Sequence, residues 1–152
     1  MTKESKKEVV QKLTADLLEK LSVVATVTVV DAGEEGMTVN IDTQESGLLI
    51  GYHGETLNSL QLLLSMMLFQ TYNEWVRIVV NVGDYREKRE ETIKSLALRV
   101  ASEVALTKEP APLPYLVPFE RRIVHMTLAD HPDVVSVSEG EGRERRVMVK
   151  PK

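Results

Sequence analysis

At 152 residues, 43% hydrophobic and 28% charged, the chain suits one ordinary domain or two small ones and is too apolar to be disordered. It has no cysteine, which excludes disulfides and thiolate metal sites, and its three histidines show no zinc-like spacing, so neither a metal nor any other cofactor is expected. The net charge of −4 excludes a uniformly basic nucleic-acid binder, but residues 1–82 hold six Lys/Arg against eleven Asp/Glu, whereas residues 83–152 hold thirteen against twelve.

The polar opening from Met1 to Lys7 runs into an amphipathic stretch, so no signal peptide is expected. Val9/Val10, Leu13, Leu17 and Leu21 fall at helical spacing and predict a helix over 4–21. Val23 to Val30 is rich in β-branched residues and predicts a strand. After a Gly- and Asp-bearing turn, Met37, Val39 and Ile41 alternate with polar residues as a half-buried partner strand. A short helix, Leu48 to Ile50, ends on Gly51, and a long one runs from Thr56 to about Tyr72. The longest apolar run, Leu60 to Phe69, is broken by Gln61 and Ser65 and is too short to cross a bilayer. A soluble, cytoplasmic protein without membrane insertion is expected. Trp75 to Val82 alternates as a third strand, completing an α-β-β-α-α-β order.

A second unit is expected from Gly83, giving domains over 1–82 and 83–152. Asp84 and Glu87 have capping-box spacing, and Ile93, Leu96, Ala97, Val100 and Val104 give the following helix an apolar stripe. Lys108 to Pro118 holds four of the six prolines and must be extended, with Leu113 to Val117 an edge strand. Phe119 to Ala129 reads as a helix. Val134 to Ser138 and Arg145 to Lys150 read as a hairpin around Glu139-Gly140-Glu141-Gly142. The unit is α-β-α-β-β, and the fold class is α+β.

Two motifs lie at helix fronts, where free N–H groups favour anions. Gly51-Tyr52-His53-Gly54 is a tight glycine loop preceded by Ile50. Its glycines also suit a plain helix–turn–helix corner. Arg121 and His125 share a face one turn apart, with Arg122 beside them and Arg145 and Arg146 following on a strand. The alternatives are a solvated cationic flank shared with Glu120, and a histidine that ties helix to strand. No Walker loop or dinucleotide fingerprint is present, and Gly47 to Gly51 lacks the lysine a phosphate-binding loop needs. No catalytic role is expected.

The α-β-β-α-α-β order with a G-x-x-G loop between its central helices resembles a type II KH domain, whose loop clamps a few nucleotides of backbone. The resemblance implies binding by Ile50, Gly51, Tyr52, His53 and Gly54, with bases in an apolar groove of Leu48, Leu49, Ile50, Leu57 and Ile41. The middle pair, often basic, is Tyr52-His53 here, and Glu55 follows. Pro118-Phe119-Glu120-Arg121-Arg122-x-x-His125, with Ser138 to Gly142 leading into Arg145 to Pro151, resembles the R-three-H domain. That family engages single-stranded nucleic acid, which implies roles for Arg121, Arg122, His125, Arg145 and Arg146. One unit following the other resembles the bacterial Jag (KhpB, SpoIIIJ-associated) RNA-binding proteins. The resemblance implies single-stranded RNA, or DNA, as partner and post-transcriptional regulation or RNA chaperoning as role. It also implies pairing with a small KH-only protein or with a second copy. The extra Jag-N domain of many members has no counterpart in these residues. The competing expectation is a structural or dimerisation module whose acidic KH unit no longer binds nucleic acid.

Overall fold

The first helix starts where its sequence provides a cap. In the computed structural model, which describes residues 5–152, Ser5 Oγ accepts from the Glu8 N–H at 3.3 Å. The Ser5 N–H donates back to the Glu8 carboxylate at 2.7 Å. Helix α1 (Lys6–Lys20) then buries Val10, Thr14 and Leu18, and the Thr14 hydroxyl donates to the Val10 carbonyl.

Strands β1 (Ala25–Asp31) and β2 (Met37–Thr43) form an antiparallel pair, and β2 pairs on its other side, in parallel, with β3 (Ile78–Val82). A parallel neighbour needs a crossover. Helices α2 (Ser46–Ile50) and α3 (Glu55–Tyr72) supply it. Met37, Val39 and Ile41 from β2 and Ile78, Val80 and Val82 from β3 point one way, onto Leu57, Leu60, Leu64 and Leu68 of α3. Two strands are shorter than the sequence predicts. Pairing begins at Ala25↔Thr43 and Met37↔Ile78, so residues 23–24 and 75–77 lie outside the paired register, although the Arg77 carbonyl accepts from the Met37 N–H at 2.9 Å. Side chains occupy both outer edges of this sheet. Gln11 donates to the Val27 carbonyl on β1. On β3, Val80 N–H donates to Gln61 Oε1 while Arg86 Nε donates to the Val80 carbonyl.

The chain divides into two compact units between Arg86 and Glu87, each with its own three-stranded sheet and core. Helix α4 (Tyr85–Thr107) contributes Ile93, Ala97, Ala101 and Val104 to the second core. The edge strand β4 is Ala111–Pro112, not Leu113–Val117. Leu113 N–H still donates to the Val147 carbonyl at 2.8 Å, but Pro112 and Pro114 have no N–H, so the ladder ends there. Leu113 and Leu116 instead drop into the core. Helix α5 (Pro118–Leu128) buries Ile123, Val124 and Leu128 against the inner face of the hairpin β5 (Val134–Glu139) and β6 (Arg146–Pro151). The sheet order is β4-β6-β5, all antiparallel. Among the described residues no helix is long and apolar enough to cross a membrane.

Candidate nucleic-acid interface

The glycine loop is built by backbone geometry that side chains resist. Gly51 has φ 67 and ψ −166, and a Cβ there would lie 2.0 Å from Thr56 Oγ1. Gly54 has φ 83, is buried, and would push a Cβ to 3.0 Å from the Tyr85 ring. Between them His53 is left-handed as well, and its ring stacks on Tyr52 with centroids 4.0 Å apart. The turn thus holds two exposed rings at the start of α3, whose first N–H groups have no side-chain cap. Ile50 is half-buried against the core, and Leu48 is exposed. Glu55 is exposed beside the loop. Three of the five groove residues expected from the sequence, Ile41, Leu49 and Leu57, are fully buried and line no groove. They form the sheet–helix core, because burying three large aliphatic side chains stabilises the unit more than exposing them to a ligand.

The second unit brings three of its arginines together on one side. Arg121, Arg122, His125 and Met126 from α5, Ser136, Val137 and Ser138 from β5, and Arg145 just before β6 line a shallow cleft of about 840 Å³. Arg121 Nη1 donates to the Leu116 carbonyl at 2.9 Å, and Arg145 Nη1 to the Gly140 carbonyl at 3.3 Å. Among the described residues, no ion pair to a carboxylate is formed by Arg121, Arg122 or Arg145. Each guanidinium therefore keeps most of its five N–H donors.

His125 lies between helix and sheet. Its Nδ1 is 2.7 Å from Ser136 Oγ and its Nε2 is 2.8 Å from Ser138 Oγ. Burial depresses its pKa below the ordinary value, the nearby Arg121 and Arg145 charges add to this, and a backbone hydrogen bond with Ser136 opposes it. The ring is thus neutral near pH 7.

Arg146 is not in this cluster. Alternation along β6 turns it to the other face, where its guanidinium lies 5.2 Å from the Tyr115 ring centroid. Glu120 is not part of an exposed flank. It is 6% exposed, its Oε1 accepts from Arg89 Nε at 2.8 Å and its Oε2 from the Val117 N–H at 3.1 Å. Sequence reasoning misses Ser136, Ser138 and Arg89. The Ser-x-Ser spacing on a predicted strand is a usable signal for the first two. Arg89 gives none, because its partner lies 31 residues away.

Two family models match the chain: the KhpA/KhpB KH domain over residues 7–81 and the R-three-H domain over residues 91–151. The chain is similar to the RNA-binding protein KhpB of Clostridium symbiosum, 38% identical over 116 residues, which is 76% of this chain and 52% of that protein. It is 41% identical to the RNA-binding protein KhpB of Lactiplantibacillus plantarum over 120 residues, 79% of this chain and 37% of that protein. It is 31% identical to that of Bacillus subtilis over 125 residues, 81% of this chain and 60% of that protein. The chain thus spans less than two thirds of the length of each of these relatives.

Proposed function

The chain belongs to the KhpB family, a KhpA/KhpB-type KH domain followed by an R-three-H domain, and from that premise we propose that it holds single-stranded RNA without acting on it chemically. The observation that carries the proposal is the set of three guanidiniums, Arg121, Arg122 and Arg145, which line one cleft and pair with no carboxylate among the described residues. Phosphate oxygens are their natural partners, and the exposed Met126 in the same wall offers apolar contact to a base or ribose. The glycine loop contributes a second, weaker contact. Its ring pair Tyr52–His53 can stack on a base, while Glu55 opposes the phosphate beside it. Both units would then work as a cytoplasmic RNA regulator or chaperone, with domains near residues 1–82 and 83–152.

The test is a titration of single-stranded RNA, single-stranded DNA and duplex RNA at one salt concentration. A charged hydrogen bond contributes roughly 1.5–3 kcal/mol, so Arg121→Ala should weaken single-strand binding about tenfold to a hundredfold. Equal affinity for duplex and single strand, or no loss in the variant, contradicts the proposal.

One observation favours a second role, self-association or pairing with a KH-only partner. From Thr56 to Asn73 the sequence holds no charge, and Leu62 and Met66 are exposed on α3, with Phe69 packed at a tilt against the exposed Trp75. Met66→Glu should leave a monomer in analytical ultracentrifugation if this face pairs. An unchanged mass at every concentration, with and without the substitution, contradicts self-association.

A further inference from the structure

We propose that Ser136 and Ser138 form a hydroxyl clip that holds His125 as a neutral strut, turned from phosphate, which makes both serines positioning residues for the basic cleft. The inference rests on the reading that this cleft takes RNA. Same-face positions two residues apart on a strand are separated by roughly 6.6 Å. An imidazole fills that gap with one hydroxyl bond at each nitrogen, and the bonds are 2.7 and 2.8 Å. In this clip Nδ1 carries the proton and donates it to Ser136 Oγ. Nε2 then accepts from the Ser138 hydroxyl, a bond that only the deprotonated nitrogen can accept.

With both nitrogens engaged, His125 has no N–H left to offer a phosphate. The charges around it are cationic: Arg121 and Arg122 on α5, and Arg145 ahead of β6. The neighbouring carboxylates are occupied, Glu120 with Arg89 and Glu139 with Lys150. A protonated imidazole among these arginines would be repelled, and burial adds to its cost. The cleft's positive charge therefore comes from arginine and does not change with pH near neutrality. What His125 supplies is position, fixing the α5 face that carries Arg121 relative to β5.

The two serines act in opposite senses on the ring, and that is testable. The His125 ring resonances are followed by NMR against pH in the full chain without RNA. The wild type should titrate below the ordinary histidine value. Ser138→Ala removes the donor to Nε2 and should move the titration upward. Ser136→Ala removes an acceptor of the Nδ1 proton and should leave it at or below the wild-type value. Ser138→Thr keeps a hydroxyl and should reverse the Ser138→Ala shift. In parallel, oligouridylate binding is measured at fixed salt between about pH 7.5 and 6, a range that brackets the ordinary histidine value. Each variant is compared with the wild type at the same pH, so that any contribution from His53 of the glycine loop cancels. Ser138→Ala should weaken binding about two- to tenfold at the upper pH, the worth of one neutral hydrogen bond, and then tighten as the pH falls. Shifts of the same sign in both alanine variants, or no shift in Ser138→Ala, overturn the clip. If the wild type binds no oligouridylate, the RNA reading fails while the resonance titration still decides the clip.

Discussion

Glycine 51 shows how one residue type can be dictated by backbone alone. Its φ/ψ pair lies in a region that only glycine occupies freely, and Thr56 fills the space a Cβ would need. Gly51→Ala should cost about 1–3 kcal/mol or more from strain, seen as a lower urea midpoint. Gly54 is a poor place for a charged probe, because Tyr85 packs against it and an aspartate there would disturb the first unit as well as the loop. His53→Asp is the cleaner probe: the site is exposed and left-handed, and aspartate tolerates that conformation. At His125 the pKa is lower in the folded than in the unfolded chain, from burial first and the Arg121 and Arg145 charges after it. The unfolded chain therefore binds the proton more readily. Stability is fully present above the unfolded value of roughly 6.5 and falls as the pH drops from there through the lowered folded value. His125→Gln should lose this component, so its urea midpoint should fall less than the wild type's on acidification. Parallel falls in the two proteins would contradict the assignment.

At the level of the element, helix α5 depends on Glu120. Val117 has no side chain that can cap, so the Glu120 carboxylate reaches back to its N–H while Arg89 of α4 neutralises the charge. The pair is mostly buried, with side chains 18% and 8% exposed. Removing one partner of such a pair leaves an uncompensated buried charge, at a cost of about 3–5 kcal/mol. Glu120→Ala should therefore unfold the second unit at markedly lower urea, while Glu120→Gln, which keeps the cap to Val117, should lose less. A smaller loss for alanine than for glutamine would remove this account. The edge strand follows equally simple chemistry. Two prolines end β4, and the leucines beyond them become core because the ladder no longer holds them in the sheet.

For the whole molecule, the proposed RNA binding should take its scale from the acidic first unit and the weakly basic second one. With about three to five phosphate contacts, log affinity against log salt should slope roughly −2 to −3.5 for a single strand. A slope near zero would remove phosphate from the interface. The two units should also contribute unequally. Arg121 sits among cations that pair with no carboxylate among the described residues, whereas the glycine loop has Glu55 at its side. Arg121→Ala should therefore weaken binding more than His53→Asp at the same salt. The reverse order would make the glycine loop the main contact.

Much of this molecule was legible without coordinates. Element types and order follow from apolar period, proline and glycine, because those signals act within a few residues. The glycine loop and the Arg-x-x-x-His face are local patterns for the same reason. Which residues serve the core and which face outward was not legible for Ile41, Leu49 and Leu57, since an apolar side chain looks the same in a groove and in a core. Nor was the separation of Arg145 from Arg146 fully readable, because alternation shows that neighbours diverge but not which one meets the helix. The Arg89–Glu120 pair lay beyond the sequence altogether, and of the His125–serine clip the sequence offered only a histidine able to tie helix to strand and a Ser-x-Ser spacing. The first joins residues 31 apart and the second joins a helix to the strand that follows it, and only packing the helices on the sheet brings a carboxylate to its guanidinium and an imidazole between two hydroxyls.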